Sequence, residues 1–138
     1  MASRNILISG AAGTAGAALA RHLSASCTLQ LLGRPGGTSP NADHGTVHQV
    51  DVESPEQLAQ LSAATGPLDA LIHTVGAFHH GPLSEVTASD WRALLANNLD
   101  SAFFITRAFR ENLRAGHGGR IVLFGLPAAE TARAEVNI

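Results

Sequence analysis

The sequence has no tyrosine and no lysine, and all nine of its basic residues are arginines. A catalytic site in this chain therefore has no phenol or amine side chain available as a proton donor. The one cysteine, Cys27, cannot form an internal disulfide, and we expect it to be a buried residue without a chemical role. A formal net charge of -2 argues against a nucleic-acid partner bound through its phosphates.

Long apolar runs are also absent. No run approaches the roughly 18 residues that a membrane span needs, and the N-terminus lacks the pattern of a signal peptide. We therefore expect no membrane partner and a cytoplasmic location. With 45% hydrophobic and 14% charged residues, the chain should form one globular domain over residues 1–138.

Short apolar segments alternate with helical patterns along the chain. We predict strands at 5–9, 28–32, 46–50, 69–75 and 120–124, helices at 14–23, 55–63 and 87–115, and a weakly helical tail at 128–136. Ser54 to Gln57 has the pattern of a capping box, and Thr87 with Asp90 caps the long helix. The alternation predicts an α/β fold, a Rossmann-like doubly wound parallel sheet of order 3-2-1-4-5. Its ligand crevice should lie at the carboxyl ends of strands one and four.

Three glycines spaced three residues apart, Gly10, Gly13 and Gly16, connect the first predicted strand to the first helix. Gly10 suits a sharp turn, Gly13 lets the chain approach a pyrophosphate, and Gly16 allows close packing of the helix. A helix that begins at Thr14 would offer the N–H groups of Thr14 and Ala15 to an anion. The triplet alone also fits an ordinary turn, but the flanking strand and helix favour dinucleotide binding.

Together, several segments resemble the short-chain dehydrogenase/reductase family over essentially the whole chain. They are the glycine turn, Asp51-Val52 after strand three, Gly76 at the end of 73–76, the long helix around Asn98, and the start of strand five. The resemblance implies that Asp51 and Val52 meet the adenine of a nicotinamide dinucleotide and that Gly76 passes close to it. It also implies that Asn98 is an active-site asparagine that opens its helix and holds a water for a proton relay.

The departures from the family pattern concern catalysis. Gly125 and Leu126 stand where the family has its serine pair, and no serine follows Ser101. The family's catalytic tyrosine and lysine would come just beyond Ile138. The strands and helices that complete the family's sheet are also missing from this sequence, so we expect a sheet that is incomplete relative to the family. Of the catalytic residues that the resemblance implies, only Asn98 has a counterpart in this sequence.

The choice between nicotinamide cofactors depends on the segment after strand two. An acidic residue there binds the ribose 2′-hydroxyl of NAD, but this segment has none, and Arg34 follows the strand directly. A guanidinium can make forked contacts with a 2′-phosphate, and Thr38 or Ser39 can add a hydroxyl, so we expect NADP(H) rather than NAD(H). Two alternatives stay open: Arg34 as a solvated loop residue, and Asp51 as a cap ahead of the second helix.

The histidines of this sequence do not indicate a metal site. The seven histidines lack the spacing of a metal site, and no cysteine cluster accompanies them.

The helix around Asp100–Leu113 carries apolar residues on more than one face, and strand five would be an unpaired edge. We therefore expect a homo- or hetero-oligomer that pairs through this helix.

Two functional hypotheses remain. The first is the NADP(H)-binding portion of an oxidoreductase that acts on small carbonyl or alcohol substrates and is inactive as this isolated chain. The second is a protein without catalysis, either a nucleotide-binding module or a scaffold that pairs with a complete homologue. The sequence does not identify the substrate.

Overall fold

The computed structural model describes residues 3–125 and the backbone of residues 136–137. In chain order the strands are β1 (Arg4–Ser9), β2 (Cys27–Gly33), β3 (Thr46–Gln49), β4 (Ala70–His73), β5 (His79–His80), β6 (Arg120–Leu123) and β7 (Val136–Asn137). A five-stranded parallel sheet has the order β3-β2-β1-β4-β6. This confirms the predicted order 3-2-1-4-5, because β6 is the fifth predicted strand. The two-residue strand β5 lies in a segment predicted as loop and pairs antiparallel with β7.

The helices are α1 (Thr14–Leu23), α2 (Pro55–Ala64), α3 (Ala88–Leu95), α4 (Ser101–Ala108) and α5 (Arg110–Ala115). Two 3-10 turns, Ala42–His44 and Leu83–Glu85, interrupt the loops. The bounds of α1 are those predicted, and α2 ends one residue later than predicted. No helix in the described part of the chain is long and apolar enough to cross a membrane. Most of the predicted helical tail, and Leu126, lie outside the described residues.

The prediction of a single long helix from Thr87 to Ala115 is wrong. The Thr87 and Asp90 capping box is present and begins α3, but a π-helical turn at Ala96–Asp100 separates α3 from α4. A second break falls at Phe109, between α4 and α5. In the π turn, the N–H of Ser101 donates to the carbonyl of Ala96, five residues back. Side chains that compete for backbone groups explain this turn, and they belong to the candidate site described below.

The capping box predicted at α2 is also only half present. The Ser54 hydroxyl accepts a hydrogen bond from the N–H of Gln57 at 3.4 Å, as the pattern requires. The Gln57 side chain, however, accepts from the N–H of Asp51 at 3.0 Å and not from the N-cap residue. It therefore ties the start of α2 to the segment that follows β3.

Apolar side chains cover both faces of the central strands, as a doubly wound sheet requires. Successive residues of β1 point to opposite faces, so Leu7 joins one core cluster while Ile6 and Ile8 join the other. The first cluster packs under α2, α4 and α5 and contains Leu7, Leu32, Leu58, Leu68, Leu71, Ile105, Phe109 and Leu113. The second packs under α1 and contains Ile6, Ile8, Ala11, Ala20, Leu29, Leu31 and Ile72. This double burial fixes the carboxyl ends of β1, β2 and β4 side by side.

Candidate functional site

The glycine turn leaves β1 sharply and enters α1 within a few residues. Gly10 has φ of 73°, and a Cβ there would lie 2.7 Å from Oγ1 of Thr74. Both the backbone angle and the crowding require glycine at this position. A Cβ on Gly16 would lie 2.2 Å from the carbonyl oxygen of Gly10, so α1 packs directly on the turn. The close approach predicted for Gly16 is therefore present, and its contact is with the turn itself.

The first turn of α1 presents free backbone donors. Gly13 is the N-cap residue and supplies no side-chain cap, and its N–H donates to the carbonyl of Gly10 at 2.9 Å. The N–H groups of Thr14, Ala15 and Gly16 find no acceptor among the described residues. Such donors at the positive end of a helix dipole suit the pyrophosphate of a dinucleotide.

A cleft of about 380 Å³ opens at the carboxyl ends of the central strands. Of the predicted site residues, Gly10, Gly13, Arg34, Asp51, Val52 and Gly76 line it. The remaining four, Thr14, Ala15, Gly16 and Asn98, do not. Arg34, Asp51 and Gly76 are far apart in the sequence, and only the predicted strand order indicated that they would meet. The sheet has that order, and it brings them together.

Arg34 stands at the end of β2, on one side of the cleft. Its side chain is exposed and forms no ion pair within the described part of the chain. Its carbonyl accepts from the N–H of Gly37, which closes a turn. Thr38 also lines the cleft, whereas the Ser39 hydroxyl accepts from the Gln49 side chain at 3.2 Å. The potential phosphate partners that line the cleft are therefore Arg34 and Thr38.

Asp51 caps the loop before α2 and also lines the cleft. Its Oδ1 accepts from the N–H of Glu53 at 2.9 Å, and its carbonyl accepts from the N–H of Ser54. Its Oδ2 has no hydrogen-bond partner among the described residues and belongs to a residue that lines the cleft. One oxygen therefore holds the loop before α2, while the other is free to accept from a ligand amino group. Glu53 lines the same cleft and was not singled out from the sequence.

Asn98 lies in the π turn and bridges to the loop after β4. Its Nδ2 donates to the carbonyl of Ala77 at 2.8 Å, and its Oδ1 accepts from the N–H of Ala77 at 3.0 Å. Nδ2 also lies 2.9 Å from the carbonyl of Leu94, four residues back in the helix. A Cβ on Gly76 would lie 3.0 Å from Asn98 Oδ1, so glycine allows this bridge. The local opening of the helix that the resemblance implied is present.

A buried polar network behind the cleft was missed in the sequence. The side chain of His73, the last residue of β4, is 2% exposed, and Ser9 and Ser101 are fully buried. His73 Nδ1 lies 2.7 Å from the Ser9 hydroxyl, and Nε2 lies 3.1 Å from the Ser101 hydroxyl. Burial lowers the pKa of His73 below its ordinary value. No local pattern in the sequence indicated that these three residues meet.

Within residues 3–125, no group of three or more histidine, cysteine or acidic side chains is placed to hold a metal ion. The cleft instead combines glycine backbone, one guanidinium and two carboxylates with apolar walls at Leu32, Val50 and Val52. This donor set fits an elongated ligand that has an anionic middle, a flat apolar end and hydrogen-bonding edges. The residues present therefore fit a nicotinamide dinucleotide.

Comparisons with known proteins agree with this geometry. A profile that describes short chain dehydrogenases matches residues 4–137. The polyketide synthase GfsB from Streptomyces halstedii is 35% identical over an alignment of 141 positions, which covers 89% of this chain and 2% of that protein. Gluconate 5-dehydrogenase from Gluconobacter oxydans is 30% identical over 76 residues, which is 55% of this chain and 30% of that protein.

The fold has solved counterparts as well. The aldohexose dehydrogenase of Thermoplasma acidophilum superposes with a TM-score of 0.83 at 16% identity, over 97% of this chain and 53% of that one. At this identity the likeness concerns the fold alone. The chain thus spans about half of this structure and a smaller share of the two sequence relatives. Because the profile covers almost the whole sequence, the chain belongs to the short chain dehydrogenase family.

Proposed function

We propose that this chain binds NADP(H) as the cofactor-binding portion of an oxidoreductase that interconverts carbonyl and alcohol groups. The observation that carries the proposal is the meeting of the glycine turn, Arg34 and Asp51 around one cleft. Oxidoreductases among its relatives are in keeping with this activity, since one is named a gluconate 5-dehydrogenase and another a tropinone reductase homolog. The bound cofactor would supply or accept a hydride.

The cleft and the residues beside it would hold the cofactor together. The glycine turn and the N–H groups of Thr14 and Ala15 would bind the pyrophosphate, and Gly13 allows its close approach. Arg34 and Thr38 would bind a 2′-phosphate, whose charge suits a guanidinium with no other ion pair. Asp51 Oδ2 would accept from the adenine amino group. Asn98, held by Ala77, would keep the loop after β4 beside the nicotinamide end.

The preference for NADP(H) is tested by calorimetry with NADPH and NADH. Replacing Arg34 with alanine removes charge-assisted hydrogen bonds of about 1.5–3 kcal/mol, so the NADPH dissociation constant should rise by about tenfold or more. The NADH constant should stay within about twofold. Arg21→Ala, at an exposed position in the last turn of α1, is the matched control and should change neither constant. Equal effects of Arg34→Ala on the two nucleotides would contradict the proposal.

We also propose that these 138 residues do not turn over by themselves. Carbonyl reduction needs a positioned proton donor, and the sequence contains neither tyrosine nor lysine. The Asn98 amide is not an acid near neutral pH, and both of its Nδ2 protons are already donated to the carbonyls of Ala77 and Leu94. Purified chain should therefore bind NADPH without oxidising it in the presence of simple ketones. NADPH oxidation above that of a boiled sample would contradict this second statement and leave the binding proposal intact.

A further inference from the structure

The Ser9–His73–Ser101 network connects three elements that surround the cleft. Ser9 ends β1 directly before Gly10, His73 ends β4 directly before the cleft residue Thr74, and Ser101 begins α4 directly after the π turn. The Ser101 hydroxyl also donates to the carbonyl of Asn97 at 2.5 Å, and Asn97 lines the cleft. The network therefore runs from the glycine turn, through the centre of the sheet, to the π turn.

The hydrogen bonds assign every proton in this network. Because the Ser101 hydroxyl gives its one proton to the Asn97 carbonyl, it can only accept from His73, so Nε2 of His73 carries a proton. Nδ1 is then free to accept from the Ser9 hydroxyl. A neutral imidazole in this one tautomer satisfies all three buried side chains, and none of the described residues has an unpaired buried side-chain polar atom.

The last hydrogen bond of the network lies within the π turn. In a regular α-helix the N–H of Ser101 would donate to Asn97, four residues back, but here it donates to Ala96. The Ser101 hydroxyl supplies a donor to the Asn97 carbonyl in its place. His73 orients that hydroxyl, because its Nε2 proton occupies one side of the oxygen and directs the hydroxyl proton to Asn97.

We propose that His73 is a positioning residue, which acts through Ser101 to hold the π turn, with Asn97 and Asn98, against the cleft. Its consequence for ligand binding rests on the proposed function, whereas its consequence for the π turn does not. The network acts on the cleft through two residues of this turn. Asn97 lines the cleft, and Asn98 is hydrogen-bonded to Ala77, the neighbour of the cleft residue Gly76. Apolar filling of the same space would keep the core but lose the link.

Four variants separate positioning from packing. His73→Leu fills a similar volume without nitrogen, and Ser101→Ala removes the last link. His73→Gln can place an amide N–H where Nε2 lies and should restore the link to Ser101. His48→Leu is the matched control, because His48 is a half-buried histidine of β3 whose Nε2 bonds to Gln30 at 2.8 Å, away from the π turn.

The first measurement is amide hydrogen exchange at residues 97–101, with no ligand present. Exchange should accelerate by about tenfold or more in His73→Leu and Ser101→Ala, and stay within about threefold of the parent in His73→Gln and His48→Leu. Nitrogen-15 NMR of the parent should show the Nε2–H tautomer of His73. Unchanged exchange in Ser101→Ala, or the Nδ1–H tautomer, would overturn the proposal even if His73→Leu does not fold.

The second measurement is the affinity of the same variants for NADPH. Binding should weaken by about tenfold in Ser101→Ala and recover to within about threefold in His73→Gln. A parent chain that binds no nicotinamide nucleotide would refute the proposed function, and the exchange data would still decide the role of His73. Normal NADPH binding by Ser101→Ala together with accelerated exchange would overturn the connection between the π turn and the cleft.

Discussion

At the scale of the residue, we expect the burial of His73 to make folding sensitive to mild acid. Burial lowers the pKa of His73 from 6.5, and the facing positions, Ser9 on β1, Leu123 on β6 and Ser101 on α4, carry no charge to offset this. Between the lowered pKa and 6.5 the unfolded chain binds more protons than the folded chain. The contribution of His73 to the free energy of unfolding should therefore be complete above pH 6.5. Below pH 6.5 the free energy of unfolding should decrease, by up to about 1.4 kcal/mol per pH unit.

Urea unfolding at pH 7.5 and pH 5.5 measures this effect. His73→Gln should lose less stability between the two values than the parent does, because glutamine does not titrate. Burial also lowers the pKa of His48, which contributes in the same direction in both proteins and cancels in the comparison. Asp69 and Asp90 have pKa values lowered below 3.8, so their contributions are lost only at more acidic pH. Equal losses in parent and variant would contradict the assignment to His73.

Gly16 gives a second prediction at this scale. Alanine at position 16 would bring a Cβ to 2.2 Å from the carbonyl of Gly10, and backbone on both sides cannot move cheaply. Gly16→Ala should therefore lower the free energy of unfolding by about 1–3 kcal/mol and distort the turn that faces the cleft. Gly66→Ala is the control, because a Cβ there meets no atom within 4 Å. Similar denaturation midpoints for the two variants would refute the close packing.

The site could be predicted from sequence only as far as local spacing and strand order reach. The spacing of the glycines identified Gly10 and Gly16, and Arg34 and Asp51 could be placed because each follows a predicted strand. The His73 network could not be found in this way, because its contacts span 64 residues to Ser9 and 28 residues to Ser101. Nothing local in the sequence indicates that two serines far apart share one imidazole.

At the scale of the element, the π turn marks where local pattern and tertiary contacts disagree. The apolar pattern from Thr87 onward is continuous, so it predicts one helix. In the structure this helix is interrupted, because Asn98 bonds to Ala77 and the Ser101 hydroxyl bonds to the Asn97 carbonyl. These side-chain contacts accompany a change from the regular hydrogen bond, four residues back, to one five residues back. Helix α1 has no such competitor, and its bounds were predicted correctly.

Removing the Asn98 side chain should loosen the loop after β4. Asn98→Ala deletes two hydrogen bonds to Ala77, so the Ala77 N–H should exchange faster and stability should fall by about 1–2 kcal/mol. Asn97→Ala is the matched control, because its side chain makes one longer bond, 3.3 Å, to Ala93 within the same helix. Amide exchange and urea unfolding of both variants test this. An Ala77 amide as protected in Asn98→Ala as in the parent would show that the bridge is not what holds the loop.

At the scale of the whole molecule, the order of the parallel strands was predictable and the surface was not. Alternating strands and helices determine the sheet, because a right-handed crossover has few ways to return. Surface character depends on which apolar residues the helices cover. Of the apolar residues on the predicted long helix, Ile105, Phe109 and Leu113 lie in the core, whereas Phe103 is 57% exposed. Residues Ile121 to Phe124, on and after β6, are between 45% and 55% exposed.

The exposed apolar surface of α4 and β6 leads us to propose that the chain self-associates. In the described part of the chain, β6 pairs only with β4, so its other edge offers unpaired backbone groups beside apolar side chains. Sedimentation velocity over a concentration series should show a rising average mass. Phe103→Asp and Val122→Asp should lower it, because a charge at either position disfavours burial. Phe78→Asp is the control, since Phe78 is 65% exposed in the loop before β5. A parent that stays monomeric throughout the series, or three variants with equal effects, would contradict association through this surface.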